Sequence, residues 1–165
     1  MLPVAREAGK RNAEGLSAKL TEGVRKGDHM KSILIIGLGR FGRHLCRKFM
    51  SLDNEVMIVD RDEAAVTALA DEVTSAQIAD CTDENALRAL GVKNFDLCFV
   101  CIGSDFASSL LITSMLKDMG AARVVAKASQ DIHAKLLLRN GADEVVYPER
   151  DSAERMATRL SAQNV

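Results

Sequence analysis

The residues best suited to chemistry are Gly37-Leu38-Gly39-Arg40-Phe41-Gly42, which follow an apolar run and open a stretch of helical periodicity. Three glycines at this spacing suit a ligand's phosphates. The first permits a tight turn, the second lets phosphate approach the backbone, and the third allows close packing of helix on strand. The N-terminus of the following helix favours negative charge, because its unpaired N–H groups point outward. Asp60 closes the next apolar run, eighteen residues beyond Gly42. A carboxylate there accepts hydrogen bonds from the ribose hydroxyls of NAD or an adenosine, and it disfavours a 2′-phosphate.

Further candidates fall where the rest of such a ligand would lie. Arg40 sits inside the loop; its guanidinium either reaches terminal phosphates or stays solvated on the first helical turn. If it reaches them, ATP or ADP suits the site as well as NAD(H). Asp80 ends the third run, either to meet an adenine amino group or to start the next turn. Gly103, followed by Ser104 and Asp105, either admits a sugar or phosphate to the backbone or makes a plain turn capped by Asp105. Lys127 closes the fifth run, facing the crevice to balance phosphate charge or snorkelling to the surface. The expected cofactor-binding set is therefore Gly37, Gly39, Arg40, Phe41, Gly42, Asp60, Arg61, Asp80, Cys81, Gly103 and Lys127.

No catalytic arrangement accompanies these residues. The single tyrosine, Tyr147, precedes Pro-Glu-Arg, so no Tyr-x-x-x-Lys relay exists. His44 and His133 have no context marking a general base, and each is expected at the surface or in packing. The four cysteines, Cys46, Cys81, Cys98 and Cys101, match no disulfide framework and suit a reducing compartment. Cys98 and Cys101 form a C-x-x-C inside an apolar run. Strand positions three apart face opposite ways, so both are expected to be small core residues rather than a metal or redox pair.

The elements that must position these groups follow from periodicity. Short apolar runs at residues 33–36, 56–59, 76–79, 97–102, 124–126 and 144–146 are expected as strands. Amphipathic stretches at 41–51, 63–71, 84–90, 106–119 and 132–139 are expected as helices, with Asp62, Asp83, Asp105 and Asp131 as caps. Near-continuous apolar strands alternating with helices imply a parallel sheet covered on both faces. Right-handed crossovers make it an α/β, Rossmann-like, doubly wound six-stranded sheet of order 3-2-1-4-5-6. A last helix over 149–163 carries Ala153, Met156, Ala157 and Leu160 on one stripe. It is expected to dock on another subunit or domain, or to pack back on its own domain.

Composition narrows the classes. With 165 residues, 47% of them hydrophobic, the chain holds one well-buried core but not two full domains. A formal net charge of −1 gives no support to a nucleic-acid partner. No apolar run reaches the length of a transmembrane helix, and the start lacks a signal-peptide core. Residues 1–29, rich in charge and glycine, are expected to be a vector-derived or disordered leader. The folded domain is expected over 30–148, followed by a separate helix over 149–165.

The sequence resembles the RCK / TrkA-N family, cytoplasmic regulatory domains of potassium transporters, especially the Trk/Ktr type. Ile35-Ile36 and the glycine loop are similar to the family's opening. Asp80-Cys81-Thr82-Asp83-Glu84 resembles its Gly-Asp-Ala-Thr-Asp-Glu turn, with Ala79 and Cys81 as departures. Asn140-Gly141-Ala142-Asp143-Glu144-Val145-Val146-Tyr147-Pro148-Glu149 resembles its Gly-Ala-Asp-x-Val-x-x-Pro-Glu signature, and His133-Ala134-Lys135-Leu136-Leu137 also matches. The resemblance implies a regulatory, non-enzymatic subunit that binds NAD(H) or ATP/ADP and gates a membrane potassium transporter or channel subunit. It implies a homodimer, an octameric ring at full length, and a position at the inner face of the plasma membrane. It makes the last helix a crossover leading to a further domain, and places Glu149 at the dimer interface, to hold a divalent cation or to serve as a first-turn acid. The competing expectation is an NAD-dependent oxidoreductase fragment lacking its catalytic domain.

Overall fold

A computed structural model describes residues 30–163. The leader expected over 1–29 lies outside them. Six strands alternate with helices: β1 Ser32–Ile36, α1 Arg40–Ser51, β2 Glu55–Asp60, α2 Glu63–Leu69, β3 Ser75–Ile78, α3 Glu84–Ala89, β4 Leu97–Val100, α4 Phe106–Asp118, β5 Val124–Lys127, α5 Asp131–Arg139, β6 Glu144–Val146 and α6 Pro148–Ala162. All strand pairings are parallel, and the order is β3-β2-β1-β4-β5-β6. This is the doubly wound order expected from the alternation of runs.

Alternating side chains of the central strands feed two separate cores. Leu34, Ile36, Met57, Val59, Cys98 and Val100 meet Leu87, Ile112, Leu116 and Leu137 from α3, α4 and α5. Ile33, Ile35, Val56, Ile58 and Phe99 meet Cys46, Val66 and Leu69 from α1 and α2. Both strand faces are therefore apolar, which explains runs without a polar alternation. Each fully buried Leu or Ile contributes about 1.5–3 kcal/mol. Cys98 belongs to the first core and Cys101 to the second, so the C-x-x-C sulfurs diverge as expected.

Three of the four expected aspartate caps form. Asp62 accepts from the N–H groups of Ala64 and Ala65, Asp83 from Asn85, and Asp105 from Ser108. Asp131 is not a cap. It is the first helical residue of α5, behind Gln130, and its carboxylate instead accepts from Tyr147 Oη at 3.1 Å and Arg150 Nη1 at 3.0 Å. Lying one position inside the helix, Asp131 has its carboxylate placed to reach α6 rather than the first-turn N–H groups. The helix expected through residue 71 ends at Leu69 and tightens into a 3₁₀ turn over Ala70–Glu72. Strand β4, expected through residue 102, ends at Val100.

Of the two placements open for the last helix, packing back on its own domain is not what forms. None of the α6 residues is buried, and Met156 and Leu160 are 47% and 55% exposed. Its first turn alone is tied down. Arg150 stacks over the Tyr147 ring at 3.5 Å from the centroid, and the Asp151 carboxylate accepts from Tyr147 N.

All four cysteines are free and buried. Burial pushes the thiols of Cys81, Cys98 and Cys101 up to about 12, and that of Cys46, with help from Glu72, to about 11. In an unfolded chain these thiols ionise near about 8.5. From there upward the unfolded state sheds protons that the folded state keeps, so stability is full below this range and falls as pH rises through it. Urea midpoints are expected to drop steadily from about pH 8.5 to 11. Replacing all four cysteines by alanine should flatten that slope, whatever it does to the midpoint at pH 7.

Candidate functional site

Strand order reverses between β1 and β4, so the connections leave their carboxyl ends in opposite directions and open a crevice there. The glycine loop lines this crevice and is anchored where it leaves β1. Gly37 N donates to Val59 O at 2.9 Å, extending the β1–β2 ladder, and Cys101 N donates to Ile36 O at 2.8 Å. Asp60 then fixes the loop from the side. Its Oδ2 accepts from Leu38 N at 2.8 Å, and its Oδ1 accepts from Asp62 N at 2.9 Å. Two acceptor sites remain on that carboxylate, since an ionised carboxyl has about four.

The three glycines have different reasons to be glycine. Gly37 has φ +99, and a Cβ there would sit 2.9 Å from the Cys101 carbonyl carbon. Gly42 has no room either, because a Cβ would lie 2.1 Å from Gly37 O. Gly39 is the opposite case. A Cβ there would meet nothing within 4 Å, and its φ of −69 suits any residue. The fold demands the outer two glycines and leaves the middle one as bare backbone facing open space.

That space is a cavity of about 510 Å³, within the usual range for small-molecule sites. Of the expected set, Gly37, Gly39, Asp60, Arg61, Asp80, Cys81, Gly103 and Lys127 line it together. Three do not. Gly42 acts through its contact with Gly37, and Phe41 packs against the core beneath α1. Arg40, the first residue of α1, is exposed beside Gly39 and lies outside the lining. Glu149 is exposed in the first turn of α6, also outside the lining. Among the described residues no group of three or more His, Cys, Asp or Glu side chains could hold a metal ion.

Several residues whose role was left open make local structural bonds and also line the cavity. Asp80 lines the cavity while its Oδ1 accepts from Thr82 N at 3.0 Å and Thr82 Oγ1 at 2.6 Å, bonds that hold its carboxyl below the usual carboxylate range. Asp105 caps α4 through Ser108 N and Ser108 Oγ, and those bonds likewise depress it, yet it too lines the cavity. Half-buried Lys127 lies over Gly103, its Nζ 3.1 Å from where a Cβ would stand. Thr82, Ser108 and Ile112 were not legible as site residues. Their only signal is position just after a strand end or one helical turn beyond it. His133 stacks on Phe106 with centroids 3.8 Å apart, a packing role.

The family described as TrkA-N domain matches residues 33–148. Ktr system potassium uptake protein C of Bacillus subtilis (strain 168) is 42% identical over 135 residues, covering 82% of this chain and 61% of that protein. The chain thus spans about three fifths of the length of that relative. The TrkA-N domain of inner membrane protein ybaL from Escherichia coli superposes with a TM-score of 0.71 at 20% identity, over 81% of this chain and 98% of that one. The GsuK channel bound to NAD does so with a TM-score of 0.63 at 20% identity, over 81% of this chain and 25% of that one. At these identities the structural likeness establishes the fold.

The glycines yield a paired prediction. Gly42→Ala should cost about 3 kcal/mol, because the new methyl must displace the Gly37 carbonyl. Gly39→Ala should leave stability equal or slightly raised, since it only restricts the unfolded chain. Urea unfolding of both variants checks this; equal losses would mean that Gly39 is also held by the fold.

Proposed function

The chain belongs to the TrkA-N domain family, and on that premise we propose that it is a nucleotide-sensing regulatory domain that binds NAD(H) or ATP/ADP and gates a membrane potassium uptake system. The carrying observation is the cavity at the β1–β4 crevice, where Gly39 presents bare backbone and Asp60 keeps acceptor capacity for a ribose. The similarity to a potassium uptake protein at 42% identity supports the membrane partner. Structures of GsuK bound to NAD and to ADP, sharing this fold, support an adenine nucleotide as the ligand class. When bound, the nucleotide supplies charge and shape to the crevice rather than a reacting centre.

The residues divide the work by position. Backbone N–H groups at the start of α1 face the phosphates, and the helix N-terminus adds favourable potential. Lys127, in the cavity lining, is the balancing cation, and Arg40, exposed next to Gly39, reaches for terminal phosphates. Asp60 ties ribose recognition to the loop, because the same carboxylate holds Leu38 N. A ligand that binds two conformations with different affinity shifts their populations, which is all that gating requires of this domain. In this reading the domain acts as a cytoplasmic homodimer and, within a ring, at the inner membrane face. Exposed α6 meets a second subunit, and Glu149 holds a divalent cation at that interface. Among the described residues no helix is long and apolar enough to cross a membrane.

Mass spectrometry of the nucleotide released from the purified chain is expected to find NAD(H), ADP or ATP. Calorimetry should then give at least about a tenfold loss of affinity for Asp60→Ala, the scale of a lost charge-assisted hydrogen bond. Arg40→Ala should weaken ATP more than adenosine. Sustained NADH oxidation with a small carbonyl substrate would instead favour the oxidoreductase reading.

A further inference from the structure

The cavity lining contains no aromatic side chain. An adenine nucleotide brings a flat, apolar base face that gains most from a flat partner. The strand order locates where that base must lie. Phosphates belong at the glycine loop after β1 and ribose at Asp60 at the end of β2, so the base points onward to the carboxyl end of β3. Ala79, Asp80, Cys81 and Thr82 wall that end.

Arg61 is the first residue beyond β2, next in the chain to the ribose acid, and lines the same cavity as the β3 end. Its guanidinium is the one planar, delocalised cation in the lining, and it stacks on aromatic faces where a lysine ammonium does not. It is exposed, and among the described residues it forms no salt bridge. Its charge nonetheless reaches across the opening. Beyond their own hydrogen bonds to Thr82 and Ser108, the carboxyls of Asp80 and Asp105 are lowered further by Arg61. Arg61, Asp80 and Asp105 line the same cavity, and among the described residues no salt bridge occupies the guanidinium.

Resting on the adenine-nucleotide reading above, we propose that Arg61 is the base-selecting residue of this site: its guanidinium plane lies on the purine ring and closes the adenosine end of the cavity. A purine gains more from this contact than a pyrimidine because it offers the larger ring face. The residue thus sets base preference, while Asp60 and the glycine loop set binding to any nucleoside phosphate.

Calorimetric titration of the full chain, stripped of bound nucleotide, with ADP and with UDP tests this. Wild type should prefer ADP. Arg61→Ala should lose about tenfold for ADP and less than about twofold for UDP, with an unchanged melting temperature. Arg61→Phe, which keeps a flat face without charge, should recover ADP affinity to within about threefold of wild type; Arg61→Lys, which keeps charge without a face, should not. Recovery by lysine and not by phenylalanine overturns the proposal, as does an equal loss for ADP and UDP, or no loss. If wild type binds no adenine nucleotide at all, the underlying reading falls and takes this one with it. ADP binding that ignores residue 61 removes this one alone.

Discussion

One carboxylate organises the ligand end of this protein. Asp60 stands at the last position of β2 and accepts from Leu38 N in the glycine loop and from Asp62 N at the start of the next turn. It therefore couples three things: the end of the sheet, the loop that follows β1, and the cap of α2. Hydrogen bonds to a charged acceptor are about twice as strong as neutral ones, and this one is half-buried, so the loop is held firmly. The loop so held forms one wall of the cavity. Any ribose that binds Asp60 acts on the same group that positions the phosphate cradle.

The sheet around that carboxylate is built for a switch point. With β1 and β4 adjacent and their connections leaving in opposite directions, no helix can cover the carboxyl ends of both. The uncovered gap is lined by polar backbone at Gly39 and Gly103 and by side chains of either charge. Asp60, Asp80 and Asp105 supply the acids, and Arg61 and Lys127 the bases. This mixture suits a ligand with an uncharged base and sugar at one end and phosphates at the other. Elsewhere the parallel strands are sealed on both faces by apolar side chains, which gives the crevice rigid walls.

The carboxyl-terminal helix is joined to this body by different physics. Asp131, Tyr147 and Arg150 form a compact cluster of one carboxylate, one hydroxyl and one guanidinium stacked on a ring. That cluster fixes the direction in which α6 leaves β6, although no residue of α6 is buried. Exposed ion pairs of this kind contribute little to global stability. Their effect is directional, since they set where the Met156–Leu160 stripe is presented.

Much of this was legible from residue order. Short continuous apolar runs and 3.6-residue periods, interrupted at Gly, Asp and Pro, mark which segments become strands and helices, because a strand buried on both faces needs apolar residues at every position and a helix only on one stripe. Crossover handedness then dictates strand order without any knowledge of side-chain contacts. The loop and Asp60 were equally legible, since their roles depend on spacing along the chain. What depends on distant partners was not. Asp131 has the sequence of a cap, yet its oxygen is taken by residues 16 and 19 positions later, as only the folded arrangement reveals. Gly39 and Gly42 carry different expected roles in the motif, but spacing does not show which atoms enforce them. The tertiary structure supplies the reason: the Gly37 carbonyl fills the space a Gly42 side chain would need, while nothing lies within 4 Å of one at Gly39. Sequence spacing specifies which groups the chain offers, while contact across the fold decides which are spent on the protein and which remain for a ligand.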